Sequence, residues 1–339
     1  MSDLAAIVPK PRTEDAIASL RSEGVYDATR SVAAYDNGRV AIPVGADPTE
    51  TAVDETRPVQ LPLRERGLED VLADRGFSPA EIDAAPSSWS VIGSVILVDF
   101  GDVSAEESLD AEHRREVGDA LLELHGNADT VLARGGVSGM RREPQTEVVA
   151  GSGETETIHT EHGTKYAVDL SRVMFSPGNK AERARMGEVV TDGERVFDMF
   201  AGIGYFSLPM ARNGAEVTAA EINPDAYRLL VENAMLNEVS ERVRAVLGDC
   251  RDVEATADRV VMGYYEAHEY LDAGLDALVP GGMLHLHEAT PEARFPERPI
   301  ERLEAAAETA GRTVDVRDSR VVKSHSAGVV HGVVDARID

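Results

Sequence analysis

From about Gly187 onward, short apolar runs alternate with stretches of helical period. The runs predict strands at Arg195–Phe200, Glu216–Glu221, Val243–Asp249, Arg259–Tyr264 and Met283–Glu288. Between them the apolar spacing predicts helices at Tyr205–Asn213, Pro224–Asn237, His268–Leu278 and Ile300–Ala310. Strand–helix alternation of this kind implies a doubly wound, mostly parallel α/β sheet. Two further strands, Thr313–Val322 and Val329–Ala336, follow one another directly, which predicts an antiparallel hairpin at the sheet edge.

The first half is less regular. A helical stretch at Glu14–Glu23 precedes a strand at Arg39–Val44, and the polar Gly45–Pro58 run reads as a loop. Short helices are expected at Leu68–Asp74 and Pro79–Ala84, with a boundary at Pro86–Ser88. The apolar Val91–Phe100 run reads as one buried strand, followed by a helix at Ala111–Leu124 and a strand at Thr130–Ala133. The glycine- and arginine-rich Arg134–Arg142 segment comes next, and then Thr155–His159 and Lys165–Leu170, placed to pair around a turn at Glu161–Gly163. The expected organisation is an N-terminal domain over 1–88, an α+β middle domain over 89–186 that connects and contacts RNA, and a catalytic domain over 187–339. No internal repeat is visible.

Charge changes the picture of the surface. Acids outnumber bases 61 to 34, giving −27, and only Lys10, Lys165, Lys180 and Lys323 are lysines. Dispersed acids of this density suit a protein kept hydrated in high salt, as in a halophilic archaeon. In such salt the counterion-release contribution to nucleic-acid binding is small, so the acidic balance does not exclude an RNA partner. The N-terminus has no basic region followed by a long apolar core, and the Val91–Val98 run is broken by Gly93 and Ser94. Neither a signal peptide nor a membrane span is expected. The lone Cys250 cannot form an internal disulfide, which fits a cytoplasmic protein.

In a doubly wound fold the ligand lies beyond the carboxyl ends of the strands. After the first strand comes Asp198-Met-Phe-Ala-Gly-Ile-Gly204, where Gly202 and Gly204 permit a sharp turn close to a ligand. The second strand ends at Glu221, nineteen residues beyond Gly202 and suited to a ribose diol. Asn223-Pro224 is a well-formed helix start. The third strand ends in Gly248-Asp249-Cys250, whose acid suits an adenine amino group. A dinucleotide site would want a third glycine where Ser207 stands. The pattern resembles the class I fold of S-adenosylmethionine (SAM)-dependent methyltransferases.

The stretch Val173–Met186 with Phe175-Ser-Pro-Gly178, the Asp198–Phe206 segment, the Gly248-Asp249 strand end, Val261-Met-Gly-Tyr264, His285-Leu-His-Glu288 and the closing Val322-Lys-Ser324 with Val330–Asp335 carry a more specific likeness. Together with Arg21–Asp27 and Ile42–Val44 they resemble the archaeal wybutosine-synthesis transferases over most of the chain. Those enzymes move the 3-amino-3-carboxypropyl group of SAM to a modified guanosine at position 37 of tRNA(Phe). The tRNA guanosine-37 N1-methyltransferases are close relatives. They resemble nitrogen methylases in carrying an asparagine and a proline after the fourth strand, where this chain has Val261-Met-Gly-Tyr-Tyr265. That difference favours aminocarboxypropyl transfer, with methyl transfer as the alternative. The resemblance implies SAM contacts at Ser176, Arg183, Glu221, Asp249 and Cys250, the last through its backbone N–H.

For RNA, the expected surface is Arg134, Arg141 and Arg142, continuing through Arg183 and Arg185 toward the site, since arginine pairs with phosphates and stacks on bases. Tyr205, Tyr264 and Tyr265 at strand ends could stack on an extruded base. His285 and His287 share one strand face and read as packing or surface residues rather than catalytic ones. Without a cysteine or Asp/His cluster no metal is expected. No catalytic base is evident, His268 being the weakest candidate, and a monomer is expected. A small-molecule SAM methyltransferase would not need the arginine-bearing middle segment. A tRNA-binding protein using SAM structurally would bind without product.

Overall fold

The computed structural model describes residues 4–101, 108–139 and 141–339. Met140, inside the glycine- and arginine-rich segment, and the first three residues lie outside the described residues. The chain divides into two compact units, Met1–Ser78 and Pro79–Asp339.

In the first unit, β1 (Leu4–Pro9), α1 (Thr13–Ser22), β2 (Ala33–Asp36), β3 (Arg39–Val44), β4 (Glu55–Pro58) and α2 (Leu68–Asp74) follow in order. The strands form one sheet in the order β2-β3-β1-β4. Ala6, Val8 and Ile42 pack with α1 on one face, and Ala5, Ile7 and Ala41 cover Leu61 on the other. The Gly45–Pro58 run was expected to be a loop throughout, but its last four residues pair with β1 as an edge strand. An edge strand with the sequence Glu-Thr-Arg-Pro has no apolar face to announce it.

The second unit opens with α3 (Pro79–Ala84), β5 (Trp89–Ile92), β6 (Val95–Val98), α4 (Ala111–Leu124), β7 (Thr130–Ser138) and β8 (Glu143–Gly151). The apolar run expected as one strand is a hairpin, β5 against β6, folded at Gly93-Ser94. Gly93 has φ +56°, and a Cβ there would lie 2.1 Å from Thr157 Oγ1, so the turn requires glycine. Much of the Arg134–Arg142 segment is also strand, in the long β7–β8 ladder. The hairpin of β9 (Glu156–Glu161) and β10 (Thr164–Asp169) turns at His162-Gly163, with φ +47° and +78°. Two positive φ values are what a tight two-residue hairpin requires.

The remaining elements are α5 (Lys180–Glu188), β11 (Arg195–Asp198), α6 (Ser207–Arg212), β12 (Glu216–Glu221), α7 (Pro224–Leu236), β13 (Val243–Leu247), β14 (Ala257–Met262), α8 (Leu271–Ala277), β15 (Leu278–Pro291), α9 (Glu297–Thr309), β16 (Val314–Ser326) and β17 (Val329–Ile338). Among the described residues, seven strands form one sheet in the order β13-β12-β11-β14-β15-β17-β16. The first five run parallel, and β17 is antiparallel to both β15 and β16. The doubly wound sheet with an antiparallel edge hairpin is therefore present. Alternation along each strand divides the core. Val196, Val217, Ala219 and Val261 face one layer, while Phe197, Ala220, Val260 and Met262 face the other.

The β9–β10 hairpin is fastened to this layer by two asparagines of one helix face and its cap. Asn233 Oδ1 accepts from Ala167 N at 2.6 Å, and its Nδ2 donates to Ala167 O and Ile203 O. Asn237 does the same with both backbone groups of Lys165. The edge of β10 is thus satisfied by side-chain amides, and the helix that borders the site is held to the segment leading into it.

Candidate functional site

The strand order reverses between β11 and β14, and a cleft of about 1080 Å³, open to solvent, lies beyond their carboxyl ends. Its floor begins with the turn after β11. Gly202 has φ +57° and Gly204 φ +100°. A Cβ on the first would lie 2.6 Å from the Tyr205 ring, and on the second 2.6 Å from Leu208 Cγ. The turn therefore packs its own following residues where side chains would otherwise stand.

Asp198 lies beneath this turn rather than in the cleft. It is fully buried, accepts from Ser207 Oγ at 2.7 Å, and is pushed up to about 6 by burial. Ser207, which replaces the third glycine of a dinucleotide site, is thus the partner that holds the acid in place. Gly202 lines the cleft and Gly204 does not.

Glu221, at the end of β12, faces the cleft. Its two oxygens accept from Gly202 N and Asn223 N, both at 2.7 Å. Burial raises its pKa, and these backbone donors oppose the rise. Asn223 caps α7 by accepting from Asp225 N, and its Nδ2 donates to Arg141 O at 3.1 Å. One residue thereby joins the helix start to the segment between β7 and β8. Asp249 lines the opposite wall, its carboxylate forked by Arg251 at 2.6 and 2.9 Å, which lowers its pKa. Cys250 follows on the first position of a short 3₁₀ turn, where the backbone N–H has no partner within the turn. Burial pushes its thiol up to about 12, so the sulfur is an uncharged wall atom.

Aromatic rings close the wall beyond Asp249. Phe200 lies 5.2 Å from Tyr264 and 5.1 Å from Tyr270, and Arg251 sits over Tyr270. Farther along, Tyr265 lies edge-on to His325 and His331 at 4.6 and 4.9 Å, under the Arg142 guanidinium. His331 is buried and shares a hydrogen bond of 3.0 Å with His287, leaving its Nδ1 without a partner.

The segment entering the site is organised around a buried ion pair. Arg183 is 3% exposed and donates to both oxygens of Glu161, at 2.6 and 2.9 Å, and to Ser176 O at 3.0 Å. Burial alone would raise the Glu161 pKa, but the bonds from His159 and Arg183 bring it to about 2. The guanidinium lies over Phe175 and Tyr205, and Tyr205 donates its hydroxyl to Met174 O. Arg183 and Tyr205 thus support the 174–176 backbone. Arg183 is not at the cleft surface, and Tyr205 is the one of the two that lines it. Ser176 Oγ accepts from Lys323 Nζ at 2.5 Å, at the rim.

The sequence-derived residues therefore separate. Gly202, Glu221, Asp249, Cys250, Arg141, Arg142 and Tyr265 line one cleft, while Asp198, Gly204, Ser176 and Arg183 shape or border it from beneath. Arg134 is paired with Asp99 at 3.1 Å, and Arg185 with Asp335 at 2.6 Å, so neither is among the lining residues. His268 also lies outside it, its ring 4.0 Å from Glu288. His285 is buried between Asp335 and Arg259, both at 2.6 Å. Asn179, Phe200, Tyr270 and His331 also line the cleft and were given no role from sequence, and Lys323, outside the lining but bonded to Ser176, was given none either. For Lys323 a signal existed, since lysine is rare in this chain. Among the described residues no metal-ligating group of His, Cys, Asp or Glu is found, and no helix is long and apolar enough to cross a membrane.

Comparison with known proteins places this geometry. Residues 157–316 match the TRM5/TYW2 methyltransferase domain, and residues 68–155 match the TYW2 N-terminal domain. The chain is 38% identical to the tRNA(Phe) (4-demethylwyosine(37)-C(7)) aminocarboxypropyltransferase of Pyrococcus horikoshii, over 75% of this chain and 90% of that protein. It is 34% identical to the tRNA (guanine(37)-N(1))-methyltransferase Trm5b of Pyrococcus abyssi, over 75% of each. The crystal structure of P. horikoshii TYW2 in complex with MeSAdo superposes with a TM-score of 0.69 at 33% identity, covering 80% of this chain and 97% of that one.

Fold and cleft define a SAM-dependent transferase with the class I methyltransferase-like sheet. The chain belongs to the TRM5/TYW2 family of tRNA-modifying enzymes.

Proposed function

We propose that this enzyme transfers the 3-amino-3-carboxypropyl group of SAM to C7 of 4-demethylwyosine at position 37 of tRNA(Phe). The observation that carries the reading is the 38% identity to an aminocarboxypropyltransferase over 90% of that protein, joined to the TYW2-type N-terminal match at 68–155. The methyltransferase relative is 34% identical, over 75% of its length. The loop after β14 agrees, presenting Gly263, Tyr264 and Tyr265 to the cleft instead of an amide and a proline.

The residues fit SAM. Glu221 keeps acceptor capacity beyond its two backbone donors and suits the ribose diol. Asp249 suits the adenine amino group, and the Cys250 N–H a ring nitrogen. Ser176 borders the end where the methionine arm would lie, with Arg183 holding its backbone. Gly202 brings backbone close to the ligand, and Asp198 and Gly204 set its turn. SAM supplies a sulfonium with three carbons open to attack, and the carbon that faces the acceptor decides the product. Attack at the methionine γ-carbon forms the C7–C bond and breaks that carbon's bond to sulfur. The sulfur keeps the electron pair and leaves as neutral methylthioadenosine, and C7 loses its proton. Holding the reactants in line supplies much of the rate in such a step, on the order of 7 kcal/mol in good cases. Arg141, Arg142 and Tyr265 line the side of the cleft open to the anticodon loop, as phosphate and base contacts. Arg134 and Arg185 would join them only after releasing Asp99 and Asp335. The reading takes the protein as a monomer in the cytoplasm, with residues 89–186 connecting the N-terminal domain to the catalytic one.

Parallel assays with carboxyl-labelled and methyl-labelled SAM, on tRNA bearing the tricyclic precursor in high KCl, test it. Carboxyl label in the tRNA with release of methylthioadenosine is expected. Methyl label with release of S-adenosylhomocysteine would assign the N1-methyltransferase reaction instead.

A further inference from the structure

We propose that Lys323 and Asn179 form the recognition site for the amino-acid head of SAM. Lys323, with Ser176 Oγ, takes the α-carboxylate, and the Asn179 amide oxygen takes the α-ammonium. The inference rests on the reading of the cleft as a SAM site.

Lys323 is the one lysine of the four that is not exposed. It stands on β16, at the antiparallel edge of the sheet, and reaches over the Ser176–Asn179 turn. Its stem crosses Gly178, where a Cβ would come within 3.2 Å of Lys323 Cδ. Its ammonium donates to Ser176 Oγ, and among the described residues no carboxylate pairs with it. Arg142 likewise has no carboxylate partner there, its guanidinium reaching Met174 Sδ at 3.4 Å. Arg134, Arg183, Arg185 and Arg251, by contrast, are each paired with an acid. Burial first, and then the charges of Arg183, Arg134 and Arg142, depress the Lys323 pKa to about 8. A half-buried cation among cations is costly unless an anion completes it.

The neighbouring group indicates which anion. Asn179 lines the cleft, and its Oδ1 is buried with no hydrogen-bond partner. An unsatisfied buried acceptor needs a donor. A phosphate offers acceptors only, and would satisfy the lysine while leaving Asn179 Oδ1 unpaired. An α-amino acid head carries a carboxylate and an ammonium one carbon apart, and satisfies both. The turn that holds Ser176 and Asn179 is braced by the Arg183 bond to Ser176 O, so the two partners are presented from a fixed backbone. An arm held by its head at this rim has its γ-carbon position set by the protein.

The test compares SAM with methylthioadenosine, which has the nucleoside and sulfur but no amino-acid head. Affinities for both are measured by calorimetry on the full chain in high KCl, for wild type, Lys323→Met and Lys323→Arg. Loss of a charge-assisted bond is expected to weaken SAM roughly tenfold or more in Lys323→Met. Methylthioadenosine should bind as in wild type, and Lys323→Arg should keep most of the SAM affinity. Unchanged SAM affinity in Lys323→Met overturns the proposal, as does an equal loss for the two ligands. A loss of tRNA affinity with SAM binding intact would assign the lysine to phosphate and overturn it as well. Transfer of methyl label would refute the proposed reaction without touching this comparison, because a methyltransferase must hold the same head.

Discussion

The two ends of the cleft are built on opposite plans. At the end read as the nucleoside site the carboxylates already have protein partners. Glu221 holds two backbone N–H groups, Asp249 holds Arg251, and Asp198 holds Ser207. At the end read as the arm site the Arg183–Glu161 pair is satisfied and buried, while the half-buried Lys323 has no carboxylate partner among the described residues and the buried Asn179 Oδ1 has no hydrogen-bond partner. A preorganised end fixes where the nucleoside sits, and an end that awaits its partner responds to what the ligand carries. The difference teaches where reaction type is chosen, since SAM-dependent methylation and aminocarboxypropylation share the nucleoside and differ in the placement of the arm.

The comparison breaks most severely at the buried pair. Arg183→Met leaves Glu161 charged and buried and removes the support of the 174–176 backbone. Denaturant unfolding should show a loss of about 3–5 kcal/mol. Adding Glu161→Gln should recover part of it, because the stranded charge is gone. Recovery of stability without recovery of SAM affinity would separate the ion pair's structural work from its positioning of Ser176.

At the other end, Gly202→Ala meets two obstacles together. A Cβ at φ +57° is strained, and it would lie 2.6 Å from the ring of Tyr205. That ring cannot swing aside freely, being held through its hydroxyl by Met174 O and covered by Arg183. Methylthioadenosine and SAM should lose affinity equally, by about 2–3 kcal/mol, or roughly fiftyfold. The equal loss contrasts with the selective loss expected at Lys323.

How much of this was legible in the chain follows the same division. Apolar periodicity gives the strands and helices of the parallel sheet, because buried strands must be apolar and their ends must carry the ligand chemistry. Glu221 and Asp249 stand at such strand ends and line the cleft. The hairpin at Gly93-Ser94 was not, since a two-residue turn inside an apolar run looks like continuation. Nor was β4, whose polar edge has no hydrophobic period. Arg183 and Asp198 both lie buried beside the cleft. A guanidinium and a carboxylate near a site suggest contact, and nothing in the sequence says that Glu161 and Ser207 will claim them first. Lys323 and Asn179 are separated by 144 residues and meet only because β16 closes the sheet beside the turn.

The smallest expected effect concerns the acid beneath the glycine turn. Burial raises the Asp198 pKa from 3.8 to about 6, and Ser207 Oγ only partly offsets it. In the unfolded chain the group ionises near its ordinary value, so between pH 3.8 and 6 the folded state binds the extra proton. Its contribution to stability is present in full below 3.8 and is lost as pH rises through about 6. Glu161 runs the other way. Its pKa is depressed to about 2, so the stability it contributes is present above the ordinary glutamate value and is lost as pH falls toward 2. Asp198→Asn removes the first trend and leaves the second. Unfolding free energies measured from pH 4 to 7 should therefore converge from below. The variant should be less stable than wild type relative to its pH 7 value by about 2 kcal/mol near pH 4, with the gap closing above pH 6. A constant offset across that range would mean that Asp198 stays charged under the turn. The nucleoside end would then hold a buried anion of its own, and the contrast between the two ends would lie in their partners alone.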